Sequence, residues 1–306
     1  MPTRRTAAAA CLVLLAASAR AQPTPREACE AAHPAAWGRA GKDVVWVPTF
    51  DAVVLAMLTM TQVSPQDVVL DLGAGDGRIA IAAAKPPYGA RAIGIEYDAE
   101  LAALASCLAK AEGVADRVRI VQGDIFAEDF AGATVVTLYL LPHLNLCVRH
   151  RLLAMPPGTR VASHQYSMAE WTPDQSLKIQ GRDVHYWVVP ARVGGVWDFE
   201  DAQGKAFSVE LDQSFSALSG AAVREGVRAP LQSATLRGSE LRFRFDAGGA
   251  AAAFSGTVHG SEISGVLTAG TASRTAKGRL RGALQAAAWA EMPPDCGRYY
   301  GRPVSR

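Results

Sequence analysis

An apolar run, Asp67-Val68-Val69-Leu70, leads into Asp71-Leu72-Gly73-Ala74-Gly75-Asp76-Gly77-Arg78, and this turn opens a helical pattern, Ile79-Ala80-Ile81-Ala82-Ala83-Ala84-Lys85. Strand, glycine-rich turn and helix in that order leave few folds open. Glycine is needed where a chain leaves a strand with positive φ, and where bare backbone must approach a ligand too closely for a Cβ. A ligand bound there sits at a helix N-terminus. The third glycine, Gly77, comes four residues after Gly73, whereas the dinucleotide fingerprint places it five after, where this chain has Arg78. An NAD-linked oxidoreductase is disfavoured by that spacing.

The same alternation continues downstream. Strand patterns at 67–72, 91–96, 117–122, 133–140 and 159–165 interleave with helical patterns from Arg78, over 98–112 and from His143, and a further helix covers Asp51 to Met60 with Thr49 as its expected N-cap. Apolar strands alternating with helices predict an α/β fold, a doubly wound parallel sheet covered on both faces. Ligands bind such sheets at the carboxyl ends of the strands. Glu96 ends the second strand 21 residues after Gly75, where a carboxylate can accept both ribose hydroxyls. Asp124 ends the third, positioned to accept from an adenine amine, with Ile125 and Phe126 available to pack the ring.

Asp71 to Gly77, Glu96 and Asp124, three motifs in register, resemble those of the class I S-adenosylmethionine-dependent methyltransferases. Trp46-Val47-Pro48-Thr49, Gly75-Asp76-Gly77-Arg78 and Leu138-Tyr139-Leu140-Leu141-Pro142 make the chain most similar to a bacterial group related to mitochondrial lysine methyltransferases. The resemblance covers roughly residues 43 to 190. It implies a Rossmann-like, mostly parallel seven-stranded sheet, closed by an antiparallel pair at 176–179 and 184–189. It further implies S-adenosylmethionine as cofactor, held by Asp71, Gly73, Ala74, Gly75 and Gly77 toward the methionine end, Glu96 at the ribose, and Asp124 and Ile125 at the adenine, with Pro48-Thr49 closing over it. The acceptor it implies is a protein amine, lysine foremost, or a small-molecule nucleophile.

Methyl transfer asks the protein mainly for positioning: an in-line nucleophile held close in a dry pocket. An ammonium acceptor must also lose a proton. Tyr139, His143 and Asn145, beyond the fourth strand, and His164 and Tyr166, at the end of the fifth, are the candidates for the acceptor side, with Tyr139, His143 and His164 foremost. Each has an ordinary alternative: strand packing, helix capping, a hydrogen bond within a loop. Leu141-Pro142-His143 stands where amino-methylating DNA enzymes carry an Asn-Pro-Pro-Tyr type motif, which argues against nucleic acid.

Charge argues the same way. Residues 1–21 resemble an export signal, with Arg4 and Arg5, an apolar run from Ala7 to Ala17, and Ala19-Arg20-Ala21 before Gln22, too short for a comfortable membrane span. The chain has 31 basic and 29 acidic residues; cleavage leaves 28 against 29, without the basic footprint of a nucleic-acid binder. A periplasmic or secreted location follows as an expectation. Export also sets a tension, because S-adenosylmethionine is made in the cytosol, and an inherited methyltransferase fold used as a binding scaffold is the alternative reading.

Cleavage removes Cys11 and leaves Cys29, Cys107, Cys147 and Cys296, an even number suited to an oxidising compartment. Cys107 and Cys147 fall in helical patterns and are expected as buried thiols; Cys29 and Cys296, near the mature termini, are the expected pair. No cysteine or histidine spacing offers a metal site.

After Pro190 the pattern changes to period two, with Phe207, Val209 and Leu211, then Leu241, Phe243 and Phe245, alternating with polar residues. Leu236 to Leu241 and Val258 to Ile263 are alike at an offset of 22, as in successive hairpins. The expected organisation is a signal at 1–21, an irregular segment at 22–42, a methyltransferase domain at 43–192, a small antiparallel β meander or barrel at 193–290, and a tail at 291–306. Cofactor binding is expected to reside in the first domain alone.

Overall fold

The computed structural model describes residues 22–247 and 250–300; the signal pattern at 1–21 lies outside them. The first sheet is built from β1 (Val68–Leu72), β2 (Arg91–Glu96), β3 (Val118–Gln122), β4 (Val135–Leu138), β5 (Arg160–His164), β6 (Gln175–Ile179) and β7 (Arg182–Val188), in the order β3-β2-β1-β4-β5-β7-β6. β1 to β5 are parallel, and β7 runs antiparallel to both β5 and β6. The chain order reverses between β1 and β4, so a crevice opens at the carboxyl ends of those strands.

Both faces of the sheet are covered, as its apolar strands require. Val69, Ala92, Val118 and Val135 point to one face, beneath α2 (Asp51–Met60), α3 (Arg78–Ala84) and α4 (Ala99–Ala111). Leu70, Leu72, Val136 and Leu138 point to the other, beneath α5 (Pro142–Leu153). Local chemistry sets the helix starts. Asp98 accepts from the backbone N–H groups of Glu100 and Leu101 to cap α4, and Pro142, whose missing N–H costs nothing there, opens α5.

Three expectations are corrected. Thr49 does not cap α2: the N-cap is Phe50, with no side-chain bond, and the Thr49 hydroxyl is engaged elsewhere. The segment 22–42 is not irregular throughout, since Thr24-Pro25-Arg26-Glu27 forms a capping box that starts α1 (Pro25–Ala32), docked on α4. Cys29 and Cys296 are not paired with each other. Cys29 bonds Cys107 on α4, and Cys296 bonds Cys147 on α5. The reason is topological. α1 packs into the core on one face of the sheet and the C-terminal segment into the core on the other, so the two end cysteines are separated by the sheet itself.

Residues 195–281 form a nine-stranded antiparallel sheet: β8 (Gly195–Asp201), β9 (Ala206–Ser214), β10 (Ala217–Arg224), β11 (Val227–Pro230), β12 (Gln232–Arg237), β13 (Glu240–Ala247), β14 (Ala250–His259), β15 (Glu262–Ala269) and β16 (Ala272–Arg281). Its order is β11-β10-β9-β8-β16-β15-β14-β13-β12, two meanders joined where β16 pairs with β8. The 22-residue likeness marks the β12–β13 and β14–β15 hairpins, whose tight turns use Gly238 and Gly260 at φ of +57° and +61°. Trp197, Phe199, Phe207, Phe243, Phe245 and Phe254 fill its interior, while Arg242 and Arg244 face solvent. Phe215, in the β9–β10 turn, stacks on Trp171 with ring centroids 6.2 Å apart and anchors this sheet to the first.

Beyond β16 the chain does not trail away as a tail. Two 3-10 turns, Ala288–Ala290 and Pro294–Tyr299, carry it back onto α5, where Cys296 is fastened. Among the described residues no helix is long and apolar enough to cross a membrane, and no group of His, Cys, Asp and Glu could hold a metal ion.

Candidate active site

The glycine turn follows β1 directly. Gly73 and Ala74 donate to Ile95 O at 3.0 and 2.9 Å, which ties the turn to β2, and Gly77 donates to Ala74 O at 2.8 Å. Two glycines are required by what surrounds them. Gly75, at φ +57°, lies under Trp46; a Cβ there would come within 2.3 Å of the indole Nε1. Gly77, at φ +76°, starts α3, and its Cβ would lie 2.9 Å from the Ala105 Cβ on α4.

Three carboxylates line the crevice at the strand ends. Asp71 pairs in register with Thr137 of β4, and the Thr137 hydroxyl donates to Asp71 Oδ1 at 2.7 Å. Full burial, with Asp76 and Glu96 nearby, pushes the Asp71 pKa up to about 7. Glu96 accepts from the Gly75 N–H at 2.7 Å and the Asp98 N–H at 2.8 Å, so its carboxylate is held in one orientation; burial raises its pKa. Asp124 accepts from the Phe126 N–H at 3.0 Å and forms an ion pair with Lys42.

Lys42 arrives on a strap that sequence patterns did not reveal. Gly38 donates to Trp46 O, Trp46 to Arg39 O, and Gly41 to Val44 O, a tight hairpin with Lys42 and Asp43 at its tip. The strap crosses the crevice. Arg39 bonds Asp98 at 2.9 Å, Trp46 covers Gly75, and the Lys42 ammonium lies 5.2 Å from the Tyr97 ring centroid. Arg78 ties the strap's far end to the turn: its guanidinium grips both oxygens of Asp76 and donates to Thr49 O at 2.9 Å. A Gly-Lys-Asp turn was visible in the sequence, but nothing local connects it with Asp124, 82 residues away.

Together these elements enclose a cavity of about 930 Å3, lined by Asp71, Gly73, Ala74, Glu96, Asp124 and Ile125 and roofed by residues 41–49, Thr49 among them. Of the acceptor-side candidates, Tyr139 lines the cavity. His164 stands behind it, ring centroids 3.9 Å apart, with Nδ1 3.1 Å from the Thr49 hydroxyl and a buried Nε2 without a partner. Burial and Arg182 lower the His164 pKa to about 4, so the ring is neutral at physiological pH. Tyr166 stacks 6.4 Å from Tyr139. Two candidates stand apart. His143 is exposed on the first turn of α5, 6.3 Å from the Tyr299 ring, and does not line the cavity. Asn145 is buried and donates to Ser163 Oγ and to the carbonyls of Tyr166 and Ser167, which fixes the loop after β5.

The donor set fits S-adenosylmethionine. Two oriented carboxylates suit the ribose diol and the adenine amine, Asp71 suits a cationic group, and the bare backbone beneath Trp46 admits a ligand where a Cβ would not fit. Comparisons with known proteins agree. A family model described as the ANTKMT methyltransferase domain matches residues 71–175. A protein-lysine N-methyltransferase of Saccharolobus islandicus is 39% identical over 146 residues, 47% of this chain and 91% of that protein. An ATP synthase lysine N-methyltransferase of Xenopus laevis is 30% identical over 130 residues, 42% of this chain and 56% of its own length, so the chain spans about half of that relative. Among solved structures, an RNA methyltransferase from Salinibacter ruber in complex with S-adenosyl-L-homocysteine is 47% identical, covering 48% of this chain and 96% of that one at a TM-score of 0.47. With strand order, glycine turn and carboxylates in agreement, the chain belongs to the class I methyltransferases that use S-adenosylmethionine.

Proposed function

We propose that this chain is an exported methyltransferase that modifies a lysine side chain of a protein. The observation that carries the acceptor class is the 39% identity with a protein-lysine N-methyltransferase over nearly all of that relative's length. The cavity's rim supports it. Val45, Val47 and Phe50 are exposed there, with Trp37 against Phe50, a surface suited to a polypeptide rather than to a phosphate backbone. Two disulfides support an oxidising compartment and hence the export reading of residues 1–21.

In this reading Glu96 holds the ribose, Asp124 and Ile125 the adenine, and Asp71 with Gly73 to Gly77 the methionine end. S-adenosylmethionine, when bound, supplies an electrophilic methyl group. Tyr139 borders the acceptor, and His164 positions the Tyr139 ring. With its pKa lowered to about 4, His164 is a poor proton sink, so the acceptor ammonium sheds its proton to water before it is enclosed.

Residues 22–306 incubated with methyl-labelled S-adenosylmethionine and an envelope extract test the acceptor. Label recovered as Nε-methyllysine, and lost in Glu96→Ala, is the expected result; label in RNA or in a small molecule would replace the lysine assignment. Sequencing the N-terminus of protein recovered from the envelope tests export, with Gln22 expected first.

A further inference from the structure

The cofactor pocket is not completed by the methyltransferase sheet alone. Phe126, which follows the adenine-side pair Asp124 and Ile125 and lines the cavity, is 6% exposed because two residues from the far end of the chain cover it. The Tyr299 ring stacks on it at 4.8 Å and 21°, and the Tyr300 ring meets its edge at 5.3 Å and 74°. The cover is itself held from several directions. Tyr300 donates its hydroxyl to Cys147 O at 2.7 Å and sits edge-on to His150, Arg298 lies 4.9 Å over Tyr299, and Cys296 is bonded to Cys147.

Arg151 of α5 secures the same loop from beneath. It donates to Ile125 O at 2.7 Å and to Glu128 O, and stacks on Phe130 at 3.8 Å. One helix therefore carries both the clamp on the 124–130 loop and the cysteine that fastens the C-terminal cover. The family model ends at residue 175, well short of this segment.

We propose that Tyr299 is a positioning residue for the cofactor: it fixes Phe126 and so the adenine wall, and the Cys147–Cys296 bond keeps it there. The inference rests on the cofactor assignment above. Binding by this chain then depends on residues beyond the nine-stranded sheet, contrary to the expectation that the first domain suffices.

Calorimetric titration of the full mature chain with S-adenosylmethionine, and separately with adenosine, tests it. Tyr299→Ala should weaken both ligands by about three- to tenfold, the worth of one aromatic stack. Tyr299→Phe keeps the ring and should bind as wild type does, which a role for the hydroxyl would not allow. Cys147→Ala with Cys296→Ala should weaken both ligands in the same sense, and thermal midpoints identify variants that have merely lost the fold. Unchanged affinity in a folded Tyr299→Ala protein, or equal losses in Tyr299→Phe, would overturn the inference. A wild-type protein that bound neither ligand would overturn the cofactor assignment first, and the inference with it.

Discussion

Lys42 and Asp124, far apart in sequence, form an ion pair across the cofactor cavity with side chains only 16% and 5% exposed. The Asp124 oxygen that Lys42 contacts is one that an adenine amine would need, the other already accepting from Phe126. The strap and the cofactor therefore compete for one carboxylate. Lys42→Met should bind S-adenosylmethionine about tenfold more tightly, the scale of one charge-assisted hydrogen bond, and should unfold at lower temperature because a buried carboxylate is left unpaired. Calorimetry paired with thermal denaturation reads both effects. Weaker binding would instead make Lys42 a cofactor ligand.

Asp71 gives the cofactor affinity a pH dependence. With a folded pKa of about 7, the carboxylate is mostly neutral a unit below that value and mostly ionised a unit above. The ionised form attracts the cationic methionine end, so affinity should rise by about tenfold between roughly pH 6 and pH 8. Adenosine, which lacks that end, should show little of this slope. Parallel pH profiles for the two ligands would remove Asp71 from the methionine end. The same shift has a stability cost: raised from its unfolded value near 4, Asp71 opposes folding as pH climbs toward neutrality, so Asp71→Asn should be the more heat-stable protein at about pH 8 and bind the cofactor less well.

Much of the fold was legible because it depends on local chemistry. The glycine turn, the alternating strands and the strand-end carboxylates Glu96 and Asp124 each declare themselves within a few residues. The nine-stranded sheet was equally readable, since period-two runs such as Leu241-Arg242-Phe243-Arg244-Phe245 fix which face is buried. What stayed hidden rests on long-range contact. Cys107 and Cys147 sit in helical patterns that suit a buried thiol as well as a disulfide, and only the sheet between the termini decides their partners. Lys42, Tyr299 and Tyr300 reach the site from segments without strong periodicity. His143 misled for the opposite reason: it follows β4 closely, but the helix start turns it away from the cavity.

His164 makes the fold acid-sensitive. Its folded pKa of about 4 lies below the unfolded value of about 6.5, so between those limits the unfolded chain binds a proton that the native chain does not. Its contribution is intact above about pH 6.5 and is lost as pH falls toward 4, up to about 3 kcal/mol. His164→Gln removes the titration, and its deficit in melting temperature relative to wild type should narrow from about pH 7 to about pH 4.5. Parallel melting curves would place the acid sensitivity on another group.

Arg78 joins the two halves of the cofactor enclosure with one side chain. Its guanidinium holds both oxygens of Asp76 in the glycine turn, and its remaining nitrogen donates to Thr49 O in the strap, an arrangement that needs a planar fork. Lysine keeps the charge but cannot serve both partners. Arg78→Lys should lose about 1–2 kcal/mol of stability, the scale of charged hydrogen bonds partly replaced. The strap should also loosen, since the Thr49 carbonyl loses its donor while Arg39 still bonds Asp98 at the other end. Limited proteolysis reads this directly: cleavage within residues 38–50 should be faster in Arg78→Lys, and saturating S-adenosylmethionine should slow it in wild type more than in the variant. Equal cleavage in the two proteins would mean that Trp46 on Gly75 and Lys42 on Asp124 suffice to hold the strap without Arg78.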